Sequence, residues 1–68
     1  MNDETFNLEI RRFLKQFGVT AQREIERAVA EALKSGRLQG SEVLRAGAAL
    51  TLEPLGEVAR VDGEIALG

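Results

Sequence analysis

The spacing of the apolar residues changes once along the chain, at Gly36, and this change constrains the fold more than any other sequence feature. Before Gly36 the apolar residues recur every three or four positions, which is the spacing of one side of an α-helix. After a polar connector at residues 36–42 they alternate with small or polar residues, which indicates β-strands. The predicted fold class is therefore α+β, within a single domain of residues 1–68.

Two helices are predicted in the first half, over residues about 4–17 and about 21–35. Asp3 or Thr5 is the predicted cap of the first helix, whose apolar side holds Phe6, Ile10, Phe13, Leu14 and Phe17. Thr20 is the predicted cap of the second helix, whose apolar side holds Ile25, Ala28, Val29, Ala32 and Leu33. Gly18 and Gly36 are predicted to end the two helices. Because the loop between them is short, the helices are expected to pack antiparallel, with the phenylalanines in their core.

A β-hairpin is predicted over residues about 43–67, which gives the element order ααββ. Its turn is predicted at residues 53–56, with Pro54 second and Gly56 fourth. The apolar residues share one face if the strands align as Leu52–Glu57, Leu50–Ala59, Ala48–Val61 and Leu44–Ile65, with a bulge at Gly63. A tight turn at Asp62–Gly63 would instead produce a three-stranded meander, and this alternative stays open.

Composition argues against most catalytic chemistry. The 68 residues include no histidine and no cysteine, which removes the commonest base, the commonest transition-metal ligand and any thiolate. No catalytic residue, metal site or cofactor is therefore predicted. The net charge is −2, the first residues are acidic, unlike a signal peptide, and no apolar run approaches the ~20 residues of a membrane span. We expect a cytoplasmic protein without membrane contact.

Three basic residues on the solvent side of the first helix, Arg11, Arg12 and Lys15, are a candidate docking patch for a protein partner. The simpler interpretation is a solvated helix face on which Glu9 pairs with Arg12. The hairpin adds a second candidate surface, because an isolated two-stranded sheet is marginal in water and its open edges favour pairing. A homodimer through the edge or the face of the sheet is therefore predicted.

The run from Phe17 to Arg23 is similar to a helix-turn-helix, and with the following hairpin it is similar to a truncated winged helix. In that interpretation Gln22, Arg23 and Arg27 would contact nucleic acid. Charge argues against it, because three acids on the same helix would lie beside phosphates: Glu24, Glu26 and Glu31. Nucleic-acid binding therefore remains the alternative to a protein-interaction role.

The run V-T-A-Q-R-E-I-E-R-A-V at residues 19–29 is followed by G-R-L at 36–38 and V-D-G-E-I at 61–65. This pattern (V-T-x-Q-R-E-I-E-x-A-V at its centre) resembles a family of short bacterial proteins that are known only as a domain of unknown function. The resemblance covers nearly the whole chain. It implies a stand-alone, cytoplasmic bacterial protein and assigns no catalytic or binding residue. The expected function is a small, non-catalytic protein-interaction module that self-associates.

Overall fold

The computed structural model describes residues 1–68, which form two compact units, Met1–Arg37 and Leu38–Gly68. The first unit holds one helix, α1 (Asp3–Lys34). The second unit holds two strands, β1 (Val43–Leu52) and β2 (Gly56–Ala66), paired as an antiparallel hairpin. The predicted α+β class is confirmed. The predicted pair of helices is wrong, and so is the three-stranded alternative.

α1 continues through the predicted loop, since Gly18, Val19 and Thr20 all lie within it. A glycine inside a helix costs only about 1 kcal/mol relative to alanine. Extending an existing helix costs far less than nucleating a second one, because nucleation orders three residues for a single hydrogen bond. The apolar residues on the two sides of Gly18 are also in phase, since Phe17, Ala21 and Ile25 follow one another in steps of four. One continuous helix therefore forms in place of two.

Both ends of α1 have well-defined caps. The cap at the start is Asn2, not Asp3 or Thr5, and its side-chain oxygen accepts a hydrogen bond from the amide of Thr5 at 3.0 Å. Gly36 follows the last turn with a φ of 82°, a conformation that favours glycine. The amide of Arg37 donates to the carbonyl of Ala32 at 2.9 Å, which completes a Schellman-type ending. The predicted stop at Gly36 is confirmed.

Most of the predicted hairpin register is confirmed, including Leu44 opposite Ile65, Ala48 opposite Val61 and Leu50 opposite Ala59. The turn closes one residue earlier than predicted, because the amide of Leu55 donates to the carbonyl of Leu52. Beside this turn the pairs become Thr51–Glu57 and Leu52–Gly56, not Leu52–Glu57.

The one-residue shift between the turn and the body of the hairpin is absorbed at Val58, which has no opposite residue in the register. The predicted bulge at Gly63 is wrong, because Gly63 pairs regularly with Ala46. Turn geometry sets the register near residues 53–55, whereas the alternation of apolar residues sets it farther out. A bulge at Val58 satisfies both requirements.

The two faces of the hairpin differ in chemistry. One face is apolar and includes Leu44, Ala46, Leu50 and Ile65, all half-buried. The opposite face is largely charged, with Arg45 opposite Glu64, Ala49 opposite Arg60 and Gly47 opposite Asp62. On this face Arg60 donates to Glu57 at 2.9 Å. No residue of the hairpin is fully buried.

Glu42 organises the connector that leads into β1. Its carboxylate accepts hydrogen bonds from the amide of Gln39 at 2.8 Å and from the amide of Gly40 at 2.9 Å. Its own carbonyl accepts from the amide of Leu67 at 2.9 Å, which extends the pairing beyond the strands. Hydrogen bonds from Gln39, Gly40 and nearby amides to the ionised carboxylate lower the pKa of Glu42, against a smaller opposing effect of desolvation.

We expect Glu42→Gln to remove part of the pH dependence of hairpin stability. Because the pKa of Glu42 is lowered on folding, its ionised form stabilises the fold above the ordinary pKa of 4.5. This stabilisation is lost as the pH falls through the lowered pKa of the folded state. Urea unfolding at neutral pH and well below pH 4.5 should show the native chain losing more stability on acidification than the variant. Glu53→Gln, at the turn, is the matched control, and an equal acid response of native chain and Glu42→Gln would contradict the assignment.

Candidate interaction surface

An apolar stripe runs along α1 from Phe6 to Ala32. Its members follow one another in steps of four, four and three residues, which keeps them on one side of a helix with about 3.6 residues per turn. The apolar stripe consists of Phe6, Ile10, Leu14, Phe17, Ala21, Ile25, Ala28 and Ala32. The first predicted stripe and Ile25, Ala28 and Ala32 of the second are therefore parts of one surface, whereas Val29 and Leu33 lie farther around the helix axis.

The large side chains of this side of α1 are open to solvent. Phe6 is 51% exposed, Leu14 is 50% exposed, and no residue of α1 is buried. Phe13 lies at the edge of the apolar stripe and stacks on Phe17, with ring centroids 6.5 Å apart and an interplanar angle of 19°. The prediction that the phenylalanines form a core is wrong, because the second helix that would cover them continues the first one instead.

The residues of the predicted docking patch, Arg11, Arg12 and Lys15, all lie on α1. Arg11 and Lys15 are four residues apart and therefore lie on adjacent turns of one side of α1. Arg12 and Lys15 are three residues apart and are also neighbours, about 60° apart around the axis. Arg12 is paired with Glu9 at 3.4 Å, as the simpler interpretation predicted. The three basic residues therefore lie on one side of α1, within about 100° around the axis, and of the three only Arg12 has an ion pair.

Of the candidate nucleic-acid contacts Gln22, Arg23 and Arg27, the two arginines are four residues apart and lie on one side of α1. Gln22 and Arg23 are consecutive, so their directions differ by about 100°. Arg27 is paired with Glu24 at 2.8 Å and with Glu31 at 3.5 Å. Residues 18–20 are helical, so the turn between two helices on which a helix-turn-helix depends is not formed.

The chain has no group of three or more acidic side chains arranged to hold a metal ion. Its helix does not contain the long apolar stretch that crossing a membrane would require.

Two features of the structure were not predicted from the sequence. The apolar stripe was predicted as two separate stripes because Gly18 was assigned to the end of a helix. The four-residue steps from Phe17 to Ala21 and from Ala21 to Ile25 indicate one continuous helix. The hydrogen bonds of Glu42 were missed because they depend on the fold of the connector, where periodicity predicts nothing.

Comparison with known proteins bears on the whole chain. No curated protein and no solved structure matches it. The model of a family of unknown function (DUF6494) matches residues 1–68. This agrees with the resemblance seen in the sequence to a family of unknown function. Because the match extends from the first residue to the last, the chain belongs to this family of unknown function.

Proposed function

We propose that the chain is a non-catalytic protein-interaction module whose contact surface is the apolar stripe of α1. One observation carries the proposal: a helix of 32 residues holds most of its large apolar side chains along one side, and none of them is buried. Covering one such side chain contributes about 1.5–3 kcal/mol. Extended exposed apolar surfaces of this kind mark sites of association.

The charged side of α1 supplies a secondary contact in this proposal. Arg11 and Lys15 form no ion pair within the chain, so both are available to an acidic partner. Arg12 is already paired with Glu9 and contributes less. The hairpin provides the second proposed surface for self-association, because β1 and β2 pair only with each other and each leaves one edge unpaired.

The composition supports a role without catalysis. Lacking histidine and cysteine, the chain would have to build a nucleophile or a base from serine, lysine or carboxylates. A chain without cysteine also suits a reducing compartment, and we place the module in the bacterial cytoplasm.

Capture from a lysate of the source cell tests this function. The tagged native chain should retain protein partners, and Phe13→Asp should reduce their recovery at least about tenfold, because a charge at the edge of the apolar stripe opposes its burial. Arg11→Glu combined with Lys15→Glu should reduce recovery less, since exposed charge pairs contribute about 0–1 kcal/mol. Leu8→Asp, on the far side of α1 and 57% exposed, is the matched control and should bind normally.

A parallel capture with nuclease separates protein partners from nucleic acid. Recovery that persists after digestion supports the protein-interaction module. Recovery that disappears on digestion would favour the alternative, a nucleic-acid-binding module using Gln22, Arg23 and Arg27. Equal recovery by the native chain and Phe13→Asp would show that the apolar stripe is not the contact surface.

A further inference from the structure

We infer that the apolar stripe binds the same stripe of a second copy of this chain, with the two helices antiparallel. This inference rests on the proposed function and names the partner of that surface. Three observations carry it: the straightness of the apolar stripe, the unequal side-chain sizes in its two halves, and the charges along one edge of it, which holds Glu9 and Glu31 and is called its acidic edge.

The apolar stripe has an 11-residue repeat. Phe6, Phe17 and Ala28 are 11 residues apart, and so are Ile10, Ala21 and Ala32. Eleven residues over three turns is 3.67 per turn, close to the period of a straight α-helix, so the stripe stays nearly parallel to the axis. Two such helices can therefore touch along their whole length with little supercoiling.

This contact is large enough for a dimer. A helix of 32 residues is about 48 Å long, and a contact about 10 Å wide on each of two copies covers roughly 1,000 Å². That is about the smallest area of a specific protein interface, which is roughly 1,000–1,200 Å².

The two halves of the apolar stripe differ in side-chain size. The first half holds only large residues, Phe6, Ile10, Leu14 and Phe17, whereas three of the four in the second half are alanine. A parallel pair would place large residues on large ones at one end and alanine on alanine at the other. The distance between helix axes depends on the side chains at the contact, so such helices would diverge.

An antiparallel pair reduces this mismatch. In one register Phe6 lies against Ala32 of the second copy, Ile10 against its Ala28, and Phe17 against its Ala21. Phe6, Ile10 and Phe17 each then meet an alanine, while Leu14 lies beside Ile25 of the second copy. The spacing of the helices is therefore more even than in a parallel pair. The same pairs recur by symmetry at the other end, as a twofold dimer requires.

The acidic edge of the apolar stripe is compatible with this arrangement. Antiparallel pairing brings Glu9 near Glu31 of the second copy, which would be unfavourable if both charges were uncompensated. Each is paired within its own helix, Glu9 with Arg12 at 3.4 Å and Glu31 with Arg27 at 3.5 Å. These pairs reduce the repulsion between the two edges.

Cysteine cross-linking of the full chain tests the inference directly, because the native chain has no cysteine. Ile10→Cys and Ala28→Cys are made as separate variants and oxidised alone and as an equal mixture. We expect a disulfide-linked dimer mainly in the mixture. In an antiparallel dimer of either variant alone the two thiols lie about 27 Å apart along the axis, far beyond the ~7 Å that a disulfide tolerates between Cα atoms.

The outcomes are distinct. A native dimer by light scattering, with cross-linking only in the mixture, supports the inference. Self-linking of each variant alone shows a parallel pair and overturns it. A monomeric native chain, or a trimer or larger assembly, also overturns it. The effect of Phe13→Asp on partner capture then decides separately whether the apolar stripe is an interaction surface at all.

Discussion

Replacing Phe17 with aspartate should lower the helix content of the chain and abolish its association. Phe17 lies at the middle of the apolar stripe, is 47% exposed, and stacks on Phe13. Losing its burial in a complex removes about 1.5–3 kcal/mol, and burying a carboxylate there costs more. We therefore expect the dissociation constant to rise at least about a hundredfold.

The helix content should follow association because α1 has no buried residue of its own. Most helical stability in proteins comes from packing of an apolar face, and Gly18, Val19 and Thr20 all have weak helix propensity. Circular dichroism and light scattering over a wide concentration range measure both effects together. Leu8→Asp introduces the same charge on the far side of α1 and should leave both unchanged. Equal association of the native chain and Phe17→Asp would refute the role of the apolar stripe.

Replacing Gly18 with proline should break α1 near its midpoint. Proline has no amide to donate to the carbonyl of residue 14, and its ring clashes with that carbonyl, at a cost of about 3 kcal/mol or more. The two halves of the apolar stripe would then no longer be in line. Circular dichroism should show a large loss of helix, and urea unfolding a matching loss of stability.

Gly18→Ala is the matched control with an effect of opposite sign. An added Cβ at this position meets no atom within 4 Å. Alanine should therefore stabilise the helix by about 0.5–1 kcal/mol. If residues 18–20 were a turn between two helices, proline would be tolerated there and alanine would bring no gain. That pair of results would contradict a continuous α1.

The elements that could be predicted from sequence are those with local causes. The end of α1 at Gly36 and the pairing of Leu50 with Ala59 both follow from patterns within a few residues. The break at Gly18 was a wrong prediction, because one glycine weighs little against the cooperativity of helix extension. The bulge at Val58 could not be predicted, since it balances a turn against a register set several residues away.

The sequence predicted the individual residues of the candidate site, but not the single surface that the apolar ones form. The basic residues Arg11, Arg12 and Lys15 were identified as one side of a helix, and the pairing of Arg12 with Glu9 was expected from their spacing of three residues. The apolar residues on both sides of Gly18 were identified, but their union into one stripe depends on the phase of an unbroken helix.

The sequence by itself determined the α+β class, the helical and strand segments and the apolar face of the hairpin. These features can be predicted because the helical period of about 3.6 residues and the strand period of 2 residues depend only on residues close together in the sequence. Only the tertiary structure decided that one helix replaces two and that Phe6, Phe13 and Phe17 are exposed. Exposure depends on which surfaces meet across the fold, and local periodicity identifies an apolar face without identifying what covers it.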